Sequence, residues 1–304
     1  MASMVGSTAR DATPTARPGT DPASFVAEPV EVGHIVVPLD GSPFAERALP
    51  VAASVAAGLG ADIRLVEVVT WHEREEGYEA AIRYLDSVSR RQRATGWDVV
   101  QHDDVGQALS EAVAGSPARM ACIATHGRDR SAAVLGSVAA SLLERSDRPA
   151  VLVGPEARAV TAADAPVVVA VDGTGGDELL VPVGLGWAAR LARRLEIVTV
   201  AETAPAGHRD DAAPRAWGPA EPETYVESLV GRAEGGGVTV ASRVVYDPVG
   251  VRDGLVPLLD RTAALFVLGS GRGRGVPRVL GSHAARVVHD AAVPALAVPL
   301  PPGA

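Results

Sequence analysis

Two glycine-rich segments carry the residue types best suited to chemistry in this chain. One runs Ala124-Thr125-His126-Gly127-Arg128-Asp129-Arg130 and reaches Gly136-Ser137; the other runs Gly269-Ser270-Gly271-Arg272-Gly273-Arg274-Gly275 and reaches Gly281-Ser282. Glycine lets the backbone approach a ligand closely, and a Gly-Ser step that opens a helix offers unpaired N–H groups, a hydroxyl and the positive end of the helix dipole. Together these suit an anion such as a phosphate. The same residues also suit a plain capped turn and a solvated surface loop. Two further turns, Asp40-Gly41-Ser42 and Asp172-Gly173-Thr174, each follow an apolar run, His34 to Asp40 and Pro166 to Asp172.

Other chemistries lack their residues. All 28 members of the Lys+Arg class are arginines. Without lysine there is neither a Walker P-loop nor a pyridoxal Schiff base, and the guanidinium of arginine does not deprotonate to replace one. A genome with biased codons accounts for the missing lysine. The histidines, His34, His72, His102, His126, His208, His283 and His289, form no i,i+4 helical pair and no HExxH pattern, so zinc is unsupported. His126 and His283 lie within the candidate segments but read as turn or surface residues, as do His102-Asp103-Asp104 at a strand end and Arg90-Arg91-Gln92-Arg93 on a helix. No G-x-S-x-G elbow is present and no Ser/His/Asp set can be nominated, so nothing points to an enzyme.

A net charge of −9 disfavours a general nucleic-acid surface. The lone Cys122, in an apolar run, reads as a core residue and suits a reducing cytoplasm. No run approaches the ~20 apolar residues of a membrane span. Residues 1–32, rich in Ala, Thr, Pro and Ser, read as a disordered tail without the pattern of a signal peptide.

The elements that must position the glycine segments are written twice. The strand-one turns are 132 residues apart, and Val134-Leu135-Gly136-Ser137 returns 145 residues later as Val279-Leu280-Gly281-Ser282. The 13 extra residues fall between the second and fourth strands of the second copy, mostly in the Pro/Ala/Asp-rich Glu202 to Glu221. In the first copy the pattern predicts helices at Phe44 to Leu59, Arg74 to Thr95, Gln107 to Ala114 and Ser137 to Arg145. Strands are expected at Ile63 to Val69, Asp98 to His102, Met120 to Thr125 and Pro149 to Val153. The second copy predicts helices at Asp177 to Leu195, Glu223 to Ala233, Val251 to Arg261 and Ser282 to Asp290, with strands at Leu195 to Ala201, Val238 to Val245, Ala264 to Gly269 and Pro294 to Val298. Such alternation makes an open parallel α/β sheet covered on both faces, with ligands expected beyond the carboxyl ends of its strands.

The opening IVVPLDGSPFAERALP (Ile35 to Pro50), the Thr125-His126-Gly127-Arg128 loop, the two Gly-Ser helix starts and the closing RPAVLV strand resemble the universal stress protein (UspA) family, in its tandem two-domain form. The resemblance covers nearly all of residues 33–300. It implies two Rossmann-like, adenine nucleotide alpha hydrolase-like domains, each a five-stranded parallel sheet with helices on both faces, at 33–154 and 166–300 with a linker at 155–165.

The resemblance also implies a stress-response regulator without catalysis that binds ATP, with Mg2+, through G-x2-G-x9-G-[S/T] in one or both domains; the alternative is a scaffold with degenerate pockets. By position, Pro38, Leu39, Asp40 and Val68 would meet adenine and ribose, Asp40 facing the ribose or the metal, and Gly127, Gly136, Ser137 and Val138 the phosphates. The second copy would use Val171, Asp172, Val200, Gly269, Gly271, Gly281 and Ser282. Neither loop reproduces the motif. Ala124 replaces the first glycine and only eight residues separate Gly127 from Gly136, whereas Arg272 stands where the second copy needs a glycine, although nine residues separate Gly271 from Gly281. The family's habit of joining last strands implies that Pro149 to Val153 and Pro294 to Val298 pair within the chain as a pseudo-dimer, leaving association of two chains and an unknown protein partner open.

Overall fold

The computed structural model describes residues 24–72, 75–92, 94–115, 119–126, 135–159, 162, 164–202, 222–247, 249–271 and 280–301. The first half comprises β1 (His34–Leu39), α1 (Ala48–Leu59), β2 (Asp62–Val69), α2 (Glu75–Gln92), β3 (Gly96–Gln101), α3 (Val105–Ala114), β4 (Arg119–Ala124), α4 (Ser137–Arg145) and β5 (Ala150–Val153). The second comprises β6 (Val167–Ala170), α5 (Asp177–Arg190), β7 (Leu195–Glu202), α6 (Pro222–Ala233), β8 (Val240–Asp247), α7 (Val251–Thr262), β9 (Leu265–Ser270), α8 (Ser282–Asp290) and β10 (Ala295–Pro299).

The strands form one ten-stranded sheet in the order β3-β2-β1-β4-β5-β10-β9-β6-β7-β8. Every pairing is parallel except β5 with β10, where Leu152, Val151 and Ala150 face Ala295, Leu296 and Ala297. The expected meeting of the last strands is therefore made inside the chain. Because this join is antiparallel, the strands of the two halves run in opposite senses, and their carboxyl ends open at opposite ends of the sheet.

Successive side chains on a strand point to opposite faces. Ile35, Val37, Leu39, Val151, Val169 and Leu296 join one continuous core, while Val36, Ala150, Leu152, Val168, Phe266 and Ala297 join the other. Helices α1, α2, α5 and α6 cover the first face and α3, α4, α7 and α8 the second, each core spanning both halves. In α1, Ala48, Leu49, Val51, Ala52, Val55, Ala56 and Leu59 are the buried residues, the stripe a core-facing helix requires. Gly60, at φ 61°, ends the helix in the left-handed region, and the Ala61 N–H reaches back to the Ala56 carbonyl. Cys122 is a core residue, as expected, with its thiol against the Ala48 carbonyl at 3.8 Å and its pKa pushed up by burial.

Two boundaries differ from expectation for local reasons. The helix expected from Phe44 begins at Ala48, after a 3-10 turn at Ala45–Arg47 set up by the Ala45 N–H donating to the Ser42 hydroxyl at 3.1 Å. The helix expected to reach Leu195 ends at Arg190, where Ala192 turns to φ 52° and the Arg193 N–H closes on the Ala188 carbonyl at 2.8 Å. The Arg190 guanidinium then caps α1 of the other half by donating to the Gly58 and Leu59 carbonyls.

The tail expected to run to Val32 is corrected from Ser24 onward. Residues 24–32 lie as a strap across the second half before the chain enters β1. The Phe25 N–H donates to the Arg232 carbonyl at 2.7 Å and the Glu28 N–H to the Pro182 carbonyl at 3.0 Å. The Arg232 guanidinium sits 3.9 Å over the Phe25 ring while holding Glu178 in a two-point ion pair. At Gly186 the strap lies directly on α5, and a Cβ there would meet the Glu28 carbonyl oxygen at 1.9 Å. Gly186→Ala should therefore lift the strap and destabilise the fold by about 1–3 kcal/mol, as overpacking does. Hydrogen exchange should then quicken at Phe25 and Glu28 while β4 and β9 stay protected; unchanged protection would show that the strap is not held there.

Candidate functional site

The second-half crevice contains a cavity of about 300 Å³ at the carboxyl ends of β6, β7 and β9. Of the residues expected there, Val171, Asp172, Val200 and Gly269 line it. Gly271 follows β9, and Gly281 and Ser282 open α8, whose next residue, His283, lines the wall. The deep wall is apolar, with Val198, Leu255, Phe266, Leu268 and Val287 between the sheet and helices α7 and α8. Leu300, immediately after β10, closes another side. Its N–H donates to the Ser270 carbonyl at 2.9 Å, and its side chain crowds Gly269 and Gly176, where a Cβ would meet Leu300 Cδ1 at 2.5 and 2.9 Å.

The strand-one turn is fixed by carboxylates. Gly173 takes φ 78°, a conformation that glycine adopts readily. The Thr174 N–H donates to Asp172 Oδ1 at 3.1 Å. Asp177, in the first turn of α5 and 1% exposed, accepts the Gly173 N–H on Oδ2 at 2.7 Å and the Asp172 N–H on Oδ1 at 3.3 Å. Tyr225 on α6 donates its hydroxyl to Asp177 Oδ2 at 2.7 Å. Burial pushes the Asp177 pKa up to about 6; the nearby Asp172 charge adds to the rise, and the donors from Tyr225, Gly173 and Asp172 oppose it. Sequence reasoning missed Asp177 and Leu300. An acid in a first helical turn is ordinary on a surface, and no pattern in the chain marks this one as buried.

In the first half, Pro38 and Leu39 end β1 and are buried, Val68 on β2 is half-buried, and Asp40 accepts the Ser42 N–H at 2.9 Å beside Gly41 at φ 75°. Gly136 donates its N–H to the Thr125 carbonyl at 2.6 Å and is held so close that a Cβ would meet that oxygen at 2.8 Å. Its amide is thus already committed, and the next N–H groups of this helix start, which no helical carbonyl can pair, belong to Ser137 and Val138. His126 follows the buried Thr125, with Nδ1 3.0 Å from the Thr125 hydroxyl, and its ring packs on that of His289 from α8 with centroids 5.2 Å apart. Gly127, Arg128, Arg272, Arg274 and the repeated Val134 and Val279 lie outside the described residues. Among the described residues no three of His, Cys, Asp and Glu come together to hold a metal.

A model of the universal stress protein family matches residues 31–154 and again 165–299. Among solved structures, a universal stress protein from Archaeoglobus fulgidus DSM 4304 is similar, with a TM-score of 0.64 and 18% identity over 88% of this chain and 98% of that one. A functionally unknown protein from Pseudomonas aeruginosa PAO1 is similar with a TM-score of 0.52 and 13% identity, over 88% of this chain and 92% of that one. At these identities the likeness is one of fold. No curated protein matches the chain.

The buried carboxyl has a measurable consequence. A pKa raised from 3.8 to about 6 means that the native state holds this proton more tightly than the unfolded chain. Its stabilisation is complete below the unfolded value and is lost as pH rises to about 6, at about 1.4 kcal/mol per pH unit across the interval. Relative to Asp177→Asn, the intact protein should gain stability in urea melts taken from pH 6.5 down to 4; parallel profiles for the two proteins would contradict the assignment.

Proposed function

The chain belongs to the universal stress protein family, as two copies end to end, and on that premise we propose that it is a non-catalytic stress-response regulator that binds an adenine nucleotide, with the second-half cavity as the better-formed site. The supporting observation is the cavity itself: an apolar slot with a carboxylate turn at one side and the start of α8 at the other. Val171, Val200 and the apolar wall suit the faces of a purine ring, and Asp172 suits a ribose hydroxyl. Phosphates would extend toward Ser282, where the first-turn N–H groups and the dipole of α8 favour negative charge.

The first-half site, on this reading, uses Pro38, Leu39, Asp40 and Val68 with Gly127, Gly136, Ser137 and Val138, in a domain spanning 33–154; the second domain spans 166–300. The amide of Gly136, spent on Thr125, makes the first site the weaker of the two. The described residues do not build a protein-held Mg2+ site, so magnesium would arrive on the phosphates. No described helix is long and apolar enough to cross a membrane, and the reading places the protein in the cytoplasm with a protein partner as its output.

Calorimetric titration with ATP and Mg2+ tests the proposal. Ser282→Asp and Ser137→Asp each add an acid to a first helical turn, which the helix tolerates but a phosphate does not. Ser282→Asp should weaken binding at least about tenfold, with a smaller effect from Ser137→Asp. Gly281→Asp is a second clean probe, because a Cβ at Gly281 meets nothing within 4 Å. Absence of heat and of a thermal shift at millimolar ATP would leave the chain as a scaffold with degenerate pockets.

A further inference from the structure

We propose that Asp177, backed by Tyr225, is a positioning residue that shapes the second-half turn to accept a neutral polyol such as a ribose and that makes the two halves of the chain bind unequally. The inference rests on the nucleotide reading of the cavity and goes beyond it by assigning what holds the ribose-facing turn in place.

The N–H groups of Asp172, Gly173 and Thr174 are the donors that a strand-end turn would otherwise aim at an anion. Here each is taken by a carboxylate: the first two by Asp177 and the third by Asp172. What the turn has left to offer is acceptors, so it suits the hydroxyl groups of a sugar and rejects phosphate oxygens. Asp177 can do this because it is buried in the first turn of α5 and anchored from behind by the Tyr225 hydroxyl. The carboxylate is therefore shared between two backbone donors and one phenol, with Gly173 locked at φ 78° between them.

The first half lacks this arrangement. The residue 132 positions before Asp177 is Ala45, which carries no carboxyl, and its N–H is instead capped by Ser42. Of the two tyrosines of that half, Tyr84 donates to Glu46, one position further along. Each half thus has a tyrosine-to-acid contact, but only that of the second half bears on the strand-one loop.

Protonation should weaken the second site, since a neutral Asp177 carboxyl can no longer accept all three donors at full strength. The ionisable groups around it are Asp172 on the same turn, Tyr225 and Arg232 on α6, Glu178 on α5, and His283 across the cavity on α8. An uncharged probe keeps any charge on the ligand out of the comparison.

The experiment uses the full chain with Asp40→Ala, which removes the ribose acceptor of the first-half site, as a common background, with adenosine as the probe at pH 7.5 and 5. With the second half intact, adenosine affinity should fall about tenfold at pH 5. Tyr225→Phe, which removes a single hydroxyl, should weaken binding about tenfold and quicken amide exchange at Gly173. Asp177→Asn should weaken it at least as much and give a flat pH profile. In the reciprocal Asp172→Ala background, the first-half site should respond to neither variant. If Tyr225→Phe and Asp177→Asn bind adenosine like their background with unchanged exchange at Gly173, the positioning role is overturned while the nucleotide reading stands. If the intact second half binds neither adenosine nor ATP, both fall.

Discussion

The antiparallel join of β5 to β10 is the constraint on which the rest of the molecule depends. A five-stranded parallel unit ends in an edge whose N–H and C=O groups need partners, and each half supplies that partner to the other. The consequence is more than edge protection. Both hydrophobic layers run unbroken through the join, so Leu152 and Ala297 belong to one core and Val151 and Leu296 to the other, with neither core confined to one half. The reversal of direction at the join also sets the two crevices at opposite ends of the sheet. A ligand in one half is thereby kept away from a ligand in the other, and communication between them has to pass through packed elements such as α8, whose His289 ring rests on His126.

The halves are repeats in architecture but not in the detail of their sites. Each places an Asp-Gly turn after its first strand and a Gly-Ser step at the start of its last helix, and both glycines of the turns adopt positive φ. What differs is how those parts are held. The second half fastens its turn through Asp177 and narrows its crevice with Leu300, whereas the first fastens its turn through Ser42 and commits the Gly136 amide to Thr125. A duplicated chain can vary such supports in one copy while the other keeps the fold.

Much of this is legible in the sequence because it is written in periodicity. The apolar runs closing on Asp-Gly, the two Gly-Ser steps and their fixed offsets locate the strands and the site loops, and α4 and α8 begin and end where the pattern says. Periodicity fails where tertiary contact decides the outcome. Residues 24–32 have the composition of a tail, and nothing local in Pro29 or Glu28 announces that Gly186, far along the chain, leaves a bare stretch of helix for them to lie on. Asp177 reads as a surface acid, and only the packing of α6 against α5 brings Tyr225 over it and removes it from water. Leu300 lies beyond the expected strand Pro294 to Val298, and its role comes from the chain continuing past β10 to bond Ser270.

The strap carries a consequence for how the molecule is made. Residues 24–32 precede everything they help to hold, while their docking surface, Pro182 and Gly186 on α5 with Arg232 on α6, is encoded up to roughly two hundred residues later. At the usual pace of ribosomal synthesis the leading segment leaves the tunnel on the order of ten to forty seconds before its partner helices exist. The first half must therefore fold with both its opening segment and its β5 edge bare, and the second half completes it by arriving last.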